Sequence, residues 1–318
     1  MKKIPVLLVL LLSGIIAGCE GKSPISLPSL PASNNTPVPA PYSSAPVTVL
    51  SGTYPDLQGI ACDNSQLWIT WGQSGVSPNL GLFECSTAGV TATAVTVFNG
   101  GTTFASNNFV NAGPDGSLYV TDTPVSWTNS LGRVYVFDST GAYQNMVSIG
   151  GILSNAVVNA AGTTLFVLSY NPQAVYTYSI SGTGAGKTFS AAATFSIPQS
   201  GNGAIHYPLI LAADSGNNLY VSNSEVGYAV EFDPSGNYIK TLGSVATSQN
   251  WGLAIDGAGN IFVANSGNGY IQEFNSAGSP VTSFGQGILN QPEQITLDPS
   301  GNLFVANYGL DQIIEFKK

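Results

Sequence analysis

Gly259-Asn260-Ile261-Phe262-Val263-Ala264-Asn265 and Gly301-Asn302-Leu303-Phe304-Val305-Ala306-Asn307 are near-copies of one segment, a polar turn followed by a short apolar run. Related cores begin at Leu67, Leu118, Leu165 and Leu219, so six cores follow one another in steps of 51, 47, 54, 42 and 42 residues. A period of that size marks a propeller or a solenoid, because each repeat is one supersecondary unit that buries its apolar face only against its neighbours. Around Leu219 the whole unit is legible. Leu209-Ile210-Leu211-Ala212-Ala213 precedes the turn Asp214-Ser215-Gly216-Asn217-Asn218; Leu219-Tyr220-Val221-Ser222 and Ala229-Val230-Glu231-Phe232 follow, and after Asp233-Pro234-Ser235-Gly236 comes Tyr238-Ile239-Lys240-Thr241-Leu242. Asp, Ser, Gly and Asn supply positive φ and local side-chain hydrogen bonds in such turns. Four antiparallel strands per repeat, repeated six times, predict an all-β, six-bladed β-propeller over residues 46–318, whose radial packing leaves few open strand edges.

The last repeat stops at Ile313-Ile314-Glu315-Phe316 without a fourth strand, while Pro46-Val47-Thr48-Val49-Leu50 matches the fourth strands Ala94-Val95-Thr96-Val97-Phe98 and Pro280-Val281-Thr282-Ser283-Phe284. The N-terminal strand is therefore expected to complete the last blade and close the ring. Ahead of it, residues 20–45 are rich in Pro, Ser, Ala and Asn, including Pro24, Pro28, Pro31, Pro37, Pro39 and Pro41. Such a stretch cannot bury enough apolar surface to offset its ordering entropy, which predicts an extended tether.

Lys2 and Lys3 precede an apolar run over residues 4–17 that is shorter than the roughly 20 residues a spanning helix needs. With Ile16-Ala17-Gly18-Cys19 it resembles a bacterial lipoprotein signal, with residues 1–19 as the signal segment and Cys19 as the lipidated residue; Ile16 stands where that family prefers Leu. The resemblance implies a lipid-anchored protein of the cell envelope, at the outer membrane if the cell is Gram-negative, since Glu20 rather than Asp follows the cysteine.

The chain holds 8 Lys and Arg against 17 Asp and Glu, with Arg133 the lone arginine. Phosphate-backbone binding needs several cations acting together, so nucleic acid is excluded as a partner.

The run Asp-x-x-Gly-Asn-(Leu/Ile)-(Phe/Tyr)-Val-Ala-Asn, followed by Glu-Phe and a glycine turn, resembles NHL repeats, most clearly in the last three repeats. The NHL pattern carries Asp after the second strand and Arg before the third. Asp122 and Arg133 keep that pair, whereas Asn223, Asn265 and Asn307 replace the acid. Phosphate or RNA binding by basic NHL propellers is therefore not carried over.

Aligning the repeats on the turn acid places Gln58, Asn108, Asn155, Trp251 and Glu293 in one ring at the channel mouth, with His206 and Tyr207 in the loop leading to the fourth repeat. A second ring holds Asp122, Ser169, Asn223, Asn265 and Asn307. Gln58, Asn108, Asp122, His206, Trp251 and Glu293 form the candidate ligand-binding set. Six-bladed lactonases and phosphotriesterases of similar shape hold Ca²⁺ with Glu, Asp and Asn oxygens, hard ligands for a hard cation. On that resemblance Glu293, Asn223, Asn265 and Asp122 are the metal candidates. The competing reading is that Asn and Asp after a strand satisfy loop backbone groups.

His206 is the single histidine, too few for a zinc-dependent propeller lyase, and as a general base it lacks an identifiable partner. Ser181-Gly182-Thr183-Gly184-Ala185-Gly186-Lys187 has the wrong spacing for a phosphate loop and reads as a Gly-rich hairpin. Trp71, Trp127 and Trp251 offer aromatic anchors. Cys62 and Cys85 lie on first and third strands of one blade, about two strand spacings apart, which opposes a disulfide; export permits one. Two functions stay open: a lipid-anchored propeller that binds a protein, glycan or small molecule without a cofactor, and a Ca²⁺-dependent, lactonase-like hydrolase.

Overall fold

The computed structural model describes Tyr42 and residues 46–51, 57–63, 66–71, 81–86, 93–95, 107–123, 132–225, 227–243 and 249–318. Cys19, the tether up to residue 41 and Trp127 lie outside the described residues, as do the side chains of Trp71, Cys85 and Asn108. Among the described residues no helix is long and apolar enough to cross a membrane.

The fold is an all-β propeller, with the described strands in six four-stranded antiparallel sheets. Sheet one is β2 (Leu57–Asp63), β3 (Gln66–Trp71), β4 (Gly81–Ser86) and β5 (Thr93–Val95). Sheet two is β6 (Asn107–Ala112), β7 (Leu118–Asp122), β8 (Arg133–Phe137) and β9 (Tyr143–Ser148). Sheet three is β10 (Ile152–Val158), β11 (Thr164–Asn171), β12 (Ala174–Ser181) and β13 (Thr188–Ser196). Sheet four is β14 (Pro208–Ala213), β15 (Leu219–Asn223), β16 (Tyr228–Phe232) and β17 (Tyr238–Gly243). Sheet five is β18 (Asn250–Ile255), β19 (Ile261–Asn265), β20 (Tyr270–Phe274) and β21 (Pro280–Phe284). Sheet six is β22 (Pro292–Leu297), β23 (Leu303–Asn307) and β24 (Gln312–Phe316), with β1 (Val47–Ser51) as its outer strand.

β1 runs antiparallel to β24, with Val47 opposite Glu315 and Ser51 opposite Gln312. The first strands β2, β6, β10, β14, β18 and β22 touch one another in turn, and β22 touches β2. The second strands β7, β15, β19 and β23 are buried at every residue, because both faces of a radial sheet pack on neighbours; such strands read as nearly unbroken apolar runs. Fourth strands such as β17 and β21 are largely exposed, so their signal is weak.

The Asp-x-x-Gly-Asn turn has a direct physical reading. In sheet six Asp298 Oδ1 accepts the Asn302 N–H at 2.8 Å and Oδ2 accepts the Asn302 side-chain amide at 2.8 Å. Gly301 sits between them at φ +84, where an L side chain is strained. Sheet five repeats the arrangement with Asp256 and Asn260.

Tyr42 falls within the stretch expected as a tether. It is buried in the cluster of Phe262, Phe284, Leu303 and Phe316, stacked on Phe284 with ring centroids 5.0 Å apart. Its hydroxyl donates to the Gly301 carbonyl at 3.0 Å. Burial drives its phenol well above the ordinary range, helped by the Glu273, Asp256 and Asp298 charges.

Candidate functional site

Every first strand carries a register shift near its start: Leu57/Gly59, Asn107/Val110, Leu153/Asn155, Pro208/Leu211, Asn250/Gly252 and Pro292/Ile295. A bulge admits an extra residue and re-aims side chains. Gln58, Asn108, Trp251 and Glu293 fall within these shifts, and Asn155 immediately follows one. The first ring thus coincides with a repeated irregularity at the strand starts that line the axis. Gln58 is half-buried, whereas Asn155, Trp251 and Glu293 are buried.

Below that level the axis is crossed by side-chain amides that sequence reasoning missed. Gln294 accepts the Ile60 N–H at 2.9 Å and donates to the Val110 carbonyl at 2.8 Å and to Asn111 Oδ1 at 3.1 Å. Asn111 donates to Asn155 Oδ1 at 3.3 Å and to the Ala156 carbonyl at 3.0 Å, and Asn155 Oδ1 also accepts the Leu211 N–H at 3.3 Å. This relay ties sheets six, one, two, three and four. Its cause is the inner edge of each first strand, whose N–H and C=O groups have no further strand to pair with. Phe109 of sheet two shares a buried cluster with Leu209 and Ile210 of sheet four and Trp251 of sheet five, adding an apolar fill. The signal available in the sequence was a polar residue, Asn111 or Gln294, next to the apolar core of a first strand.

The second ring builds loops. Asn223 Oδ1 accepts the Glu225 N–H at 3.3 Å. Asn265 Oδ1 accepts the Asn268 N–H at 3.0 Å and its side-chain amide at 3.1 Å. Asn307 Oδ1 accepts the Asn290 N–H at 2.7 Å, and Ser169 donates to the Ile152 carbonyl at 3.2 Å. Asp122 is buried and lies opposite Arg133 across the β7–β8 ladder. The asparagines thus do what residues after a strand commonly do, satisfying loop backbone. The Asn223 and Asn265 oxygens, metal candidates in the sequence, are each engaged by a loop N–H. Among the described residues no three of His, Cys, Asp and Glu gather as a metal cluster.

His206 is exposed at the same end of the sheets, in the connector of residues 197–207. Its Nδ1 lies 2.7 Å from Glu225 Oε2 and its Nε2 lies 3.1 Å from the Gln199 carbonyl. The Glu225 hydrogen bond, then the Gln199 carbonyl, raise its pKa above the ordinary value. With both ring nitrogens facing acceptors, it is held as a donor rather than poised as a base. Beside it Tyr207 stacks on Tyr170 with centroids 5.9 Å apart.

Cys62 and Cys85 both lie opposite Leu67 on its two flanking strands. Two strand spacings of about 4.8 Å separate their Cα atoms, beyond the roughly 7 Å a disulfide spans. Burial, with the Asp298 and Asp63 charges, pushes the Cys62 thiol up to about 12.

The segment 181–187 is a hairpin tip as expected, but its lysine is not a surface charge. Lys187 is buried, with Nζ 2.6 Å from Asp115 Oδ2, donating to Ser117 Oγ at 2.5 Å and to the Tyr119 hydroxyl at 3.3 Å. Burial works to raise the Asp115 carboxyl; the hydrogen bonds from Lys187 and Ser117 outweigh it and hold the group below its usual range.

No family model and no curated protein matches the chain. Solved structures do. A catalytically inactive virginiamycin B lyase from Staphylococcus aureus with quinupristin superposes with TM-score 0.57 at 13% identity, over 87% of this chain and 99% of that one. The periplasmic gluconolactonase of Pseudomonas aeruginosa gives 0.59 at 16% identity, over 82% and 81%. An auxiliary nutrient binding protein from Bacteroides thetaiotaomicron gives 0.58 at 13% identity, over 83% and 69%. These likenesses establish the fold; a lyase, a lactonase and a binding protein sharing one scaffold illustrate why it does not decide function.

Proposed function

We propose that this chain is a lipid-anchored, six-bladed, NHL-like propeller of the cell envelope that acts by binding, through the face where the first strands begin. Each sheet is read as one blade, with β1 closing the ring through its ladder to β24. The observation that carries the binding reading is how the polar groups of that face are used: Asn223, Asn265 and Asn307 brace loops, and His206 is engaged at both nitrogens. The outcome is a stiff rim, and a preorganised rim lowers the ordering cost of recognition. The Trp251 indole N–H, Asn250 Oδ1 and Asn155 Nδ2 are buried near the strand starts without a protein hydrogen bond, where water or a polar ligand would supply one. The ligand classes that fit are a glycan, a small polar molecule or a protein loop.

The test is a panel of neutral sugars, sugar acids and envelope glycans screened by thermal shift in EDTA. A ligand that raises the midpoint in EDTA, and does so less in Trp251→Phe, supports binding. Hydrolysis of gluconolactone that requires Ca²⁺ and vanishes in Glu293→Ala would replace this reading with the lactonase-like one.

A further inference from the structure

We propose that His206 is a pH-responsive latch on the binding face: its imidazolium form pins the connector of residues 197–207 to the loop after β15, and loss of the proton loosens that connector. The inference rests on the binding reading only for what the face is used for.

The geometry is specific to the charged ring. Glu225 Oε2, 2.7 Å from Nδ1, and the Gln199 carbonyl, 3.1 Å from Nε2, can only accept. A neutral imidazole donates from one nitrogen and presents a lone pair at the other. Either tautomer therefore turns one of these contacts repulsive, and only the doubly protonated ring satisfies both.

The groups that meet His206 come from three elements. Glu225 lies in the β15–β16 loop and Gln199 in the connector itself, while the Gln173 side-chain amide, from the β11–β12 loop, donates to the His206 carbonyl. Among the described residues Glu225 is the charged group in contact with the ring. The connector has other ties: Ile205 N–H to the Pro198 carbonyl at 2.8 Å, the Tyr228 hydroxyl to the Ala204 carbonyl at 2.7 Å, and Ser224 N–H to the Tyr207 carbonyl at 3.0 Å. Loss of the latch therefore loosens the connector without unfolding the propeller. Its consequence reaches the rim because the connector carries Tyr207, stacked on Tyr170, and continues into β14 at the axis.

The sign follows from linkage. The Glu225 contact raises the folded-state value, so the latch is fully present below the unfolded histidine value of about 6.5 and is lost as pH rises through the raised one. His206 and Glu225 side chains are 55% and 45% exposed, and solvent screens such a pair. The expected change in connector opening is therefore roughly 2- to 5-fold, the range of exposed ion pairs.

One histidine in the chain means one imidazole resonance. The full chain, ¹³C-labelled at histidine and held in mild detergent, is titrated by NMR while hydrogen exchange is followed at the Ile205 and Ser224 amides. Expected are a midpoint above about 6.5 that falls in Glu225→Gln, and exchange that, corrected for its intrinsic pH dependence, speeds by roughly 2- to 5-fold through that midpoint. His206→Gln should abolish the step. A midpoint at or below 6.5, the absence of a step, or a step that persists in His206→Gln would overturn the latch. None of these readings involves a ligand, so a sound latch on a face that binds nothing would sink the binding reading alone.

Discussion

Sheets four, five and six close their first hairpins with residues of their own, as sheet three does through Asn159, whereas the outer hairpin of sheet three leans on its neighbour. Asp214, Asp256 and Asp298 each accept the N–H of the residue four positions on at 2.8 Å, and each also takes that asparagine's side-chain amide. In sheet three, β12 and β13 lengthen to 8 and 9 residues, and the tip between them is held by Lys187 on Asp115 of sheet two and by Asn145, which donates to the Lys187 carbonyl at 2.7 Å. The first hairpins are satisfied within a single turn, and the outer hairpin of sheet three through residues about seventy positions away. Local closure makes a repeat modular; remote closure makes the seam between two repeats a single unit.

Mutations separate the two kinds of closure, beginning with the largest effect. Tyr42→Ala removes a buried ring from the seam of sheets five and six and should cost about 3–5 kcal/mol in urea unfolding, the usual range for aromatic truncation in a core. A loss below 1 kcal/mol would return Tyr42 to the tether. Gln294→Leu strands the Ile60 N–H and the Val110 carbonyl at the axis, for an expected loss of about 2–3 kcal/mol. Lys187→Met fills the same volume without the charge, and Asp115, being half-exposed, can rehydrate; the expected loss at pH 7 is about 1–2 kcal/mol. Because the Asp115 carboxyl is depressed in the fold, its contribution is present above about pH 3.9 and lost as pH falls through the lower folded value. The wild type should accordingly lose more stability than Lys187→Met between pH 5 and pH 2, and equal losses would remove the pair from the account. Asp256→Ala and Asp298→Ala, each breaking one turn cap, should cost about 1 kcal/mol apiece and add; strong coupling between them would show that the regular sheets are not modular.

The smallest effect concerns Glu273. Burial, then the Asp256 charge, raise its carboxyl above the ordinary value, so the ionised form opposes folding at neutral pH and the cost is relieved as pH falls through the raised value. Glu273→Gln should therefore be neutral or stabilising at pH 7 by at most about 1 kcal/mol. A clear loss in calorimetry would mean that the carboxylate is favourably paired.

Legibility in the sequence follows the same division. The second strands, buried on both faces, and the Asp-x-x-Gly-Asn turns announce themselves, and the resemblance of Pro46-Val47-Thr48-Val49-Leu50 to fourth strands anticipated the β1–β24 ladder. The first polar ring falls at one register shift in each first strand, which is why aligning the repeats brings its residues together. The chemistry of the two rings was not legible, since whether Asn265 faces an ion or a loop N–H depends on the path of the following three residues. Tyr42, Asn111, Gln294 and Lys187 were missed for a common reason: each is satisfied by another sheet, and no local pattern records that.

The most direct test of the binding face is a thermal melt of the full chain with Ca²⁺ and then with EDTA. An ion held at 100 times its Kd would add about 2.7 kcal/mol and raise the midpoint of a domain this size by roughly 5–10 °C. With Asn223 and Asn265 turned to loop backbone, the predicted result is no shift on adding Ca²⁺ or removing it. A rise of that size, reversed by EDTA and absent in Glu293→Ala, would contradict the account and place a metal at the mouth.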